Sequence, residues 1–144
     1  MHVLIDEDTA VQLIEPLRHL LIRHQVDHVT TIKWRGKKDR NVLPDAKRAG
    51  YDVIITRDRN QLMDPDECDA IKQSGLHHVR YAQRRKGMEG LGLALGAVIA
   101  AMPMVMASLE QAEAQQLVHI AGLDPNRRFE MTDPKRDPPR YWPR

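Results

Sequence analysis

Two short apolar segments of this 144-residue chain each end in acidic residues. The first covers residues 3–8, with the sequence VLIDED, and the second covers residues 53–58, with the sequence VIITRD. Short runs that are rich in Val and Ile predict strands buried on both faces of a parallel sheet. Ligands of such sheets bind at the carboxyl edge, where the strands end. The two segments therefore predict a negatively charged pocket at that edge.

A divalent cation would stabilise such a pocket. Two carboxylates about 4 Å apart repel each other by roughly 4 kcal/mol at an effective dielectric of 20. Asp6 is the first acidic residue after the apolar part of the first segment, and Asp58 ends the second segment. Asp39, which lies between the two segments, stands where the N-cap of a helix is expected. Mg²⁺ and Mn²⁺ prefer carboxylate oxygens and retain several waters. The residue types therefore favour a site for Mg²⁺ or Mn²⁺ on these three aspartates.

Composition limits the class of protein. The net charge is only +2, but basic residues cluster at residues 33–40 and 80–86, which would give an acidic pocket a basic rim suited to a phosphate backbone. Cys68 is the only cysteine, so a disulfide framework and a Cys-based zinc site are excluded. The N-terminal residues lack the pattern of a signal peptide. We therefore expect a cytoplasmic protein.

One stretch resembles a membrane span in length. Residues 91–109 carry no charge, but they include Gly92, Gly96 and Pro103 and are only moderately hydrophobic. A helix buried between the sheet and a dimer partner explains the same pattern. We therefore expect no membrane association.

The apolar periodicity alternates between strands and helices, which predicts a doubly wound α/β fold with helices on both faces of the sheet. The predicted strands are His2–Asp6, Val26–Ile32, Asp52–Thr56 and His78–Tyr81, followed by a terminal hairpin of Leu117–Ile120 and Arg128–Met131. The predicted helices are Thr9–His24, Asp39–Gly50, Pro65–Ser74 and Glu89–Gln116. A capping box at Thr9–Gln12 would begin the first helix, Pro44 would disturb the second, and Pro103 would kink or split the fourth. Residues 133–144 hold four prolines and predict an irregular or disordered tail.

The order and spacing of these motifs resemble the PIN-like nucleases, and in particular the small bacterial toxins related to VapC. The resemblance covers residues 1–110. It rests on three segments, which are Leu4 to Asp8, Gly36 to Asp39, and Val53 to Asn60. It implies a three-layer α/β/α fold with a mostly parallel sheet of four to five strands. Residues 1–112 would form the PIN-like domain and residues 113–144 a C-terminal extension.

The resemblance also implies a function. It implies an endoribonuclease that cleaves RNA with Mg²⁺ or Mn²⁺, forms a homodimer and is neutralised by a cognate antitoxin protein. Asp6, Asp39 and Asp58 fall on the acidic catalytic and metal-binding positions, with Thr56 beside the pocket. Asn60 stands where the family often has Asp, which makes it a neutral metal ligand. Asp8 stands where Asn is common and is a further metal-ligand candidate.

Other residues are assigned by their position near this pocket. Glu7 is expected beside the metal ligands and not on the metal. The candidates for RNA binding are Lys37, Lys38, Arg57, Arg59 and Trp34. Trp34 can stack on a base or anchor its loop in the core, and the sequence leaves both open.

Two other functions remain open. A degenerate PIN-like protein would bind RNA or a partner without cleaving it, and Asn60 is the reason to consider this. A receiver-type signalling module would use Asp58 as a phosphate acceptor. The chain lacks the Met-Pro that usually follows such an acceptor, which disfavours the signalling module.

Overall fold

The computed structural model describes residues 1–34, 39–58 and 60–144, the side chains of residues 39–41 excepted. Within these residues one six-stranded sheet forms, in the order β2-β1-β3-β4-β5-β6. Its strands are β1 (His2–Ile5), β2 (Gln25–His28), β3 (Val53–Thr56), β4 (His77–Tyr81), β5 (Leu117–Ile120) and β6 (Phe129–Thr132). The first five are parallel, and β6 is antiparallel to β5.

Helices cover both faces of this sheet. They are α1 (Ile14–Leu20), α2 (Asp39–Arg48), α3 (Pro65–Ser74) and α4 (Gly87–Glu110). Successive strand residues point to opposite faces. Accordingly, Val3 and Ile5 pack in one hydrophobic cluster with α1 and α4, whereas Leu4 packs in a second cluster with α2 and α3. The mostly parallel α/β architecture with helices on both faces is therefore confirmed.

The number of strands is larger than predicted. The predicted terminal hairpin forms, and its first strand pairs with β4, since Leu117 lies opposite His78 in the parallel register. The sheet thus has six strands instead of four to five among the described residues. It also crosses the domain boundary placed at residue 112, and the boundary itself stays a prediction.

The first helix is shorter than predicted. A 3₁₀ turn at Val11–Leu13 precedes α1, and neither element has a side-chain cap at its start, so the Thr9 capping box is wrong. Pro16 gives the physical reason: without an N–H it could not bond the Gln12 carbonyl in a helix that began at Thr9. The helical spacing of the apolar residues in this segment predicts a core position for Leu20, but Leu20 is 49 % exposed.

The ends of β2 and α2 differ from the predicted ends by a few residues. β2 ends at His28 because the backbone turns over residues 29–33, where Lys33 adopts a φ of 64°. α2 ends at Arg48, ahead of the left-handed Gly50 (φ 89°), and keeps Pro44 inside it. α3 begins at Pro65 and ends at Ser74 as predicted.

α4 is a single helix of 24 residues with Pro103 inside it, so Pro103 does not split the helix, and the alternative of a kink stays a prediction. By length and composition it is the one helix of the described residues that could cross a membrane, but a core helix passes the same test. In the fold, 44 % of its most apolar 18 residues is buried. Val98, Ala101 and Met102 are fully buried against the sheet and α1.

Two neighbouring crossovers have opposite hands. The connections from β3 to β4 and from β4 to β5 step in the same direction across the sheet, yet α3 and α4 lie on opposite faces. About 98 % of such crossovers are right-handed, so one of these two has the rare hand. This arrangement places α4 beside α1 and covers the face formed by Val53, Ile55 and Val79.

Candidate functional site

The strand order defines a crevice between β1 and β3. These strands are neighbours, but the chain leaves β1 toward β2 on one side and leaves β3 toward β4 on the other. In open parallel sheets, ligands bind at the carboxyl ends of two strands that diverge in this way. Asp6 follows β1 directly and Thr56 ends β3, so both lie at this crevice.

Asp6 is held in place by backbone and side-chain contacts. Its N–H donates to the Ile55 carbonyl at 2.9 Å and so continues the pairing of β1 with β3. Its Oδ1 accepts the N–H of Glu7 at 2.8 Å, and its Oδ2 accepts the Thr56 hydroxyl at 3.1 Å. Only 5 % of Asp6 is exposed. A charged group at this depth requires such partners.

The Thr56 hydroxyl brings a second carboxylate to the same point. Both carboxylate oxygens of Asp8 lie 3.4 Å from Thr56 Oγ1, and Asp8 Oδ1 also accepts the N–H of Arg57 at 3.2 Å. Thr56 is fully buried. Since a hydroxyl group has one proton, it is shared between Asp6 and Asp8.

Asp58 completes the group from the loop after β3. Its N–H donates to Thr56 Oγ1 at 3.0 Å, and its Oδ1 accepts the N–H of Asn60 at 2.8 Å. The second contact is the usual Asx turn of an aspartate at the start of a turn. We refer to Asp6, Asp8 and Asp58 as the acid cluster.

The charges of the acid cluster act on one another. Burial raises the pKa of Asp8, and the nearby negative charge of Asp58 raises it further, against the lowering effects of Arg57 and Thr56. Burial also raises the pKa of the Tyr81 phenol at the end of β4, and the charges of Asp8 and Asp6 add to that rise. Tyr81 therefore keeps its hydroxyl proton at neutral pH beside the acid cluster.

His28 fixes the segment that carries Asp8. It is 1 % exposed at the end of β2, and its Nδ1 accepts the N–H of Thr30 at 3.0 Å. Nε2 is therefore the donor to the Thr9 carbonyl, at 2.7 Å. This contact ties the chain after β1 to the end of β2.

A pocket lined by cationic side chains lies beside the acid cluster. It has a volume of about 280 Å³ and is formed by Arg57, Ala82, Gln83, Arg85 and Lys86. Arg57 connects the two regions, because its N–H binds Asp8 while its guanidinium donates to Gln83 Oε1 at 3.2 Å. Arg85 also forms an ion pair of 2.9 Å with Glu89 in the first turn of α4. We call this the basic pocket.

The structure describes only some of the residues predicted for the site. Asp6 and Asp8 meet at the Thr56 hydroxyl, whereas Asp58 reaches it through its backbone N–H, and the described residues contain no group of three carboxylates close enough to hold a metal. Asp39 begins α2, but its side chain lies outside the description, as do Lys37, Lys38 and Arg59 altogether. Their roles stay predictions.

Three other candidates are described. Glu7 is exposed and supports Asp6 through its backbone N–H. Asn60 is exposed in the turn after Asp58. Trp34 is half-buried against the second hydrophobic cluster, edge-on to Tyr51 with 6.2 Å between ring centroids. This packing matches its alternative role as a loop anchor, and base stacking stays a prediction.

Sequence reasoning missed residues that reach the site from β2, β4 and the loop after β4. His28 and Tyr81 carried no signal, since each stands in an ordinary strand pattern. Arg85 and Lys86 did carry one, because they belong to the basic run of residues 80–86. Only the path of the chain after β4 places that run beside Arg57.

The acid cluster is suited to a hard cation. Carboxylate oxygens are the ligands that Mg²⁺ and Mn²⁺ prefer, and one or two carboxylates with several waters make a common Mg²⁺ site. Among the described residues no three His, Cys, Asp or Glu side chains form a metal-binding group. Asp6 and Asp8, which meet at one hydroxyl group, therefore fit a cation that completes its shell with water.

Comparison with known proteins identifies the family. Residues 1–83 match the family model described as PIN like domain. No curated protein matches the chain. The matched residues contain β1 to β4 and the whole acid cluster. PIN domains are generally nucleases, and they usually use divalent metals. Because the match covers more than half of the chain, this protein belongs to the PIN like domain family.

Proposed function

We propose that this chain is a metal-dependent endoribonuclease that hydrolyses RNA phosphodiester bonds. One observation carries the proposal: the carboxylates of Asp6 and Asp8 meet at the buried Thr56 hydroxyl, in the crevice of a PIN-like sheet. A cation between them offsets their repulsion.

Asp6 and Asp8 would hold Mg²⁺ or Mn²⁺, with Asp58 close enough to act on Asp8 electrostatically. Asp39 and Asn60 stay predicted ligands. When bound, such a cation acidifies a coordinated water and stabilises negative charge on a phosphoryl group. The protein contributes fixed carboxylates, since Thr56, Glu7 and Arg57 each donate a hydrogen bond to one of them.

The basic pocket would hold the RNA backbone. Arg57, Arg85 and Lys86 supply positive charge next to the acid cluster, and none of the residues that line the pocket is acidic. Cationic side chains bind phosphates by releasing counterions, so RNA binding should weaken steeply as salt rises. Arg57 is the central residue, because its backbone contacts Asp8 and its guanidinium lines the pocket.

A degenerate PIN-like protein that binds RNA without cleavage is the second candidate. Asp58 Oδ1 is engaged by the Asn60 N–H, and a neutral amide at residue 60 replaces a frequent family carboxylate. The described residues also lack a three-ligand metal group. These observations favour a weakened metal site, whereas the basic pocket would bind RNA in either case.

The test is cleavage of mixed RNA transcripts with Mn²⁺, with Mg²⁺ or with chelator. We expect cleavage only with metal, and a loss of about 100-fold or more in Asp6→Asn, the range in which fixed electrostatic groups act. Asp69→Asn is the matched control, since Asp69 is a half-buried carboxylate of α3 bonded to Gln73.

Three outcomes separate the candidates. Full cleavage by folded Asp6→Asn, or cleavage unaffected by chelator, would refute the metal-dependent mechanism. RNA binding without cleavage by the wild type would establish the degenerate alternative. Loss of cleavage in both Asp6→Asn and Asp69→Asn would point to a general effect on folding, which circular dichroism would reveal.

The cellular role belongs to the same proposal. We place the enzyme in the cytoplasm as the toxin of a toxin–antitoxin pair, acting as a homodimer. Exposed apolar side chains near α4 support a protein partner: Ile22 is 81 % exposed and Met104 43 %. Growth arrest on expression, relieved by the protein encoded beside it, would support the toxin role. Normal growth on expression of the active enzyme would contradict it.

A further inference from the structure

Polar side chains form a row across the sheet beside the acid cluster. In the strand register Thr56 lies opposite Arg80, Arg80 opposite His119, and His119 opposite Glu130. Their neighbours Val79, Tyr81, Val118 and Ile120 pack in the cluster on the other face. Arg80, His119 and Glu130, which we call the polar row, therefore project from the face that α2 and α3 cover.

The polar row lines a cavity of about 370 Å³. One wall is the 3₁₀ turn at Gln61–Met63, which begins directly after Asn60 and thus continues the loop of the acid cluster. Another part of the lining comes from residues 137–140 of the C-terminal tail. We call this space the tail cavity. Its volume lies in the range of small-molecule sites.

Two nitrogen-bearing side chains of the tail cavity, the Arg80 guanidinium and the His119 imidazole, have no side-chain partner among the described residues. Arg80 and His119 are half-buried, and within the described residues neither side chain makes a hydrogen bond or an ion pair. Burial lowers the pKa of both groups, and the negative charge of Glu130 opposes this without contact. A half-buried guanidinium with five donors that no protein group uses is available to bind an anionic acceptor.

The rest of the tail cavity is of mixed character, since Asp137 and Arg140 add one charge of each sign and the other lining residues are mainly apolar. Leu62, Leu117, Pro138 and Pro139 face the space that the polar row borders. An anion-binding group beside an apolar slot suits a ligand that joins a phosphate to a flat ring. A nucleotide has this composition.

We propose that the tail cavity binds one nucleotide of the RNA, with its phosphate on Arg80 and His119 and its base against the apolar walls. The assignment rests on the proposed function for its link to cleavage. Neighbouring strands lie about 4.8 Å apart, so His119 is roughly 10 Å from Thr56 along the sheet. A nucleotide near the scissile phosphate can reach that far, and the tail cavity would select which base stands there.

The experiment is an NMR titration of the intact protein with uridine and adenosine monophosphates, in chelator so that cleavage plays no part. We expect shifts of the amides of Arg80, His119 and Glu130. Inorganic phosphate and free uridine should bind more weakly than either nucleotide, because the first lacks the base and the second lacks the phosphate. Arg80→Gln should weaken nucleotide binding about ten- to a hundredfold, as for loss of a hydrogen bond to a charged group.

Arg127→Gln is the control, because Arg127 is an exposed arginine of the turn between β5 and β6. Nucleotide affinity in Arg80→Gln equal to that of Arg127→Gln would overturn the proposal, as would shifts that miss the tail cavity. His119→Gln offers a second variant if Arg80→Gln fails to fold.

The two proposals fail separately. Cleavage that depends on Asp6, without mononucleotide binding at the tail cavity, would remove the nucleotide site and keep the nuclease. Nucleotide binding that depends on Arg80, in a protein that cleaves no RNA, would keep the nucleotide site and remove the nuclease.

Discussion

Thr56 organises the acid cluster with a single hydroxyl group. It donates to Asp6 or Asp8 and accepts the N–H of Asp58. Thr56→Val keeps the shape of the side chain but removes these bonds, so two carboxylates would face an apolar group. We expect a loss of about 1–3 kcal/mol in the free energy of unfolding, and a large loss of cleavage.

Thr56→Ser is the matched variant, since it restores the hydroxyl. It should retain most of the stability and activity that Thr56→Val loses. Urea unfolding and RNA cleavage measure the two effects. Equal behaviour of the Val and Ser variants would show that the hydroxyl has no part in the site.

His78 makes the stability of the fold depend on pH. It is fully buried, its Nε2 pairs with Gln61 Oε1 at 2.9 Å, and burial followed by the charge of Arg80 lowers its pKa from 6.5 to about 4. Between these values the unfolded chain binds the proton and the folded protein does not. The free energy of unfolding therefore falls as pH drops from 6.5 to 4, by roughly 3 kcal/mol.

The measurement is urea unfolding at several pH values, with His78→Gln as the comparison. In His78→Gln the free energy of unfolding should depend less steeply on pH. Part of the dependence should remain, because burial also lowers the pKa of His77 and His119. An unchanged slope would exclude His78 as the source.

At the scale of single residues, the sequence predicts which residues end the strands, but it does not predict which residues of neighbouring strands come into contact. Asp6 and Thr56 close buried apolar runs, and neighbouring parallel strands must end at one edge. His28 and Arg80 reach their sites only through the register of β2 and β4. Register depends on pairing across the sheet, which a single strand pattern does not contain.

At the scale of elements, Gly90 decides how closely α4 approaches the loop of the basic pocket. A Cβ at Gly90 would lie 1.6 Å from the Arg85 carbonyl oxygen. Gly90→Ala must therefore displace that loop, with Arg85 and Lys86, from the first turn of α4. We expect a destabilisation of about 1–3 kcal/mol and weaker RNA binding.

Gly92→Ala is the control on the same helix, because a Cβ there meets nothing within 4 Å. It should stabilise the protein by about 0.5–1 kcal/mol through helix propensity. Filter-binding and urea unfolding compare the two variants. The same RNA affinity in both would show that the loop position is unimportant.

The helices also show where local patterns fail. The apolar stripe of α1 continues through Leu20, but Pro16 delays the start of the helix and Leu20 turns toward solvent. The apolar spacing of the second helix predicts that Ala49 faces the sheet, but α2 ends at Arg48 and Ala49 is exposed. α3 was predicted correctly because Pro65 begins it and the left-handed Gly75 ends it. Both residues act locally, which is why the sequence reveals them.

At the scale of the whole molecule, the tail holds the C-terminal end of the chain against α3. Tyr141 and Trp142 pack on the second hydrophobic cluster, and Lys72 Nζ donates to the Pro143 carbonyl at 2.9 Å. The tail is irregular as predicted, but it is packed. Deleting residues 141–144 should cost about 2 kcal/mol, as for two half-buried aromatic side chains.

Deleting Arg144 alone is the control, since this residue is exposed. Thermal unfolding should separate the two truncations by several degrees. If both melt together, Tyr141 and Trp142 do not contribute to stability.

The topology of the whole sheet exceeds what local patterns predict. Alternation of strands and helices predicted the layers, yet the addition of the terminal hairpin to the sheet and the opposite hands of the crossovers emerged only in the structure. Both depend on where α4 comes to lie. Its uniform apolar sequence fits many environments, so it does not specify a face.

The position of α4 has a consequence for synthesis on the ribosome. The residues that match the family end at 83, before α4 begins, so Val53, Ile55 and Val79 lack the cover of this helix until it has left the exit tunnel. A nascent chain that stalls before α4 emerges would expose this apolar sheet face to chaperones. The PIN-like fold can therefore be completed only after the residues that match the family have been synthesised. The helix that completes it contributes no residue to the acid cluster.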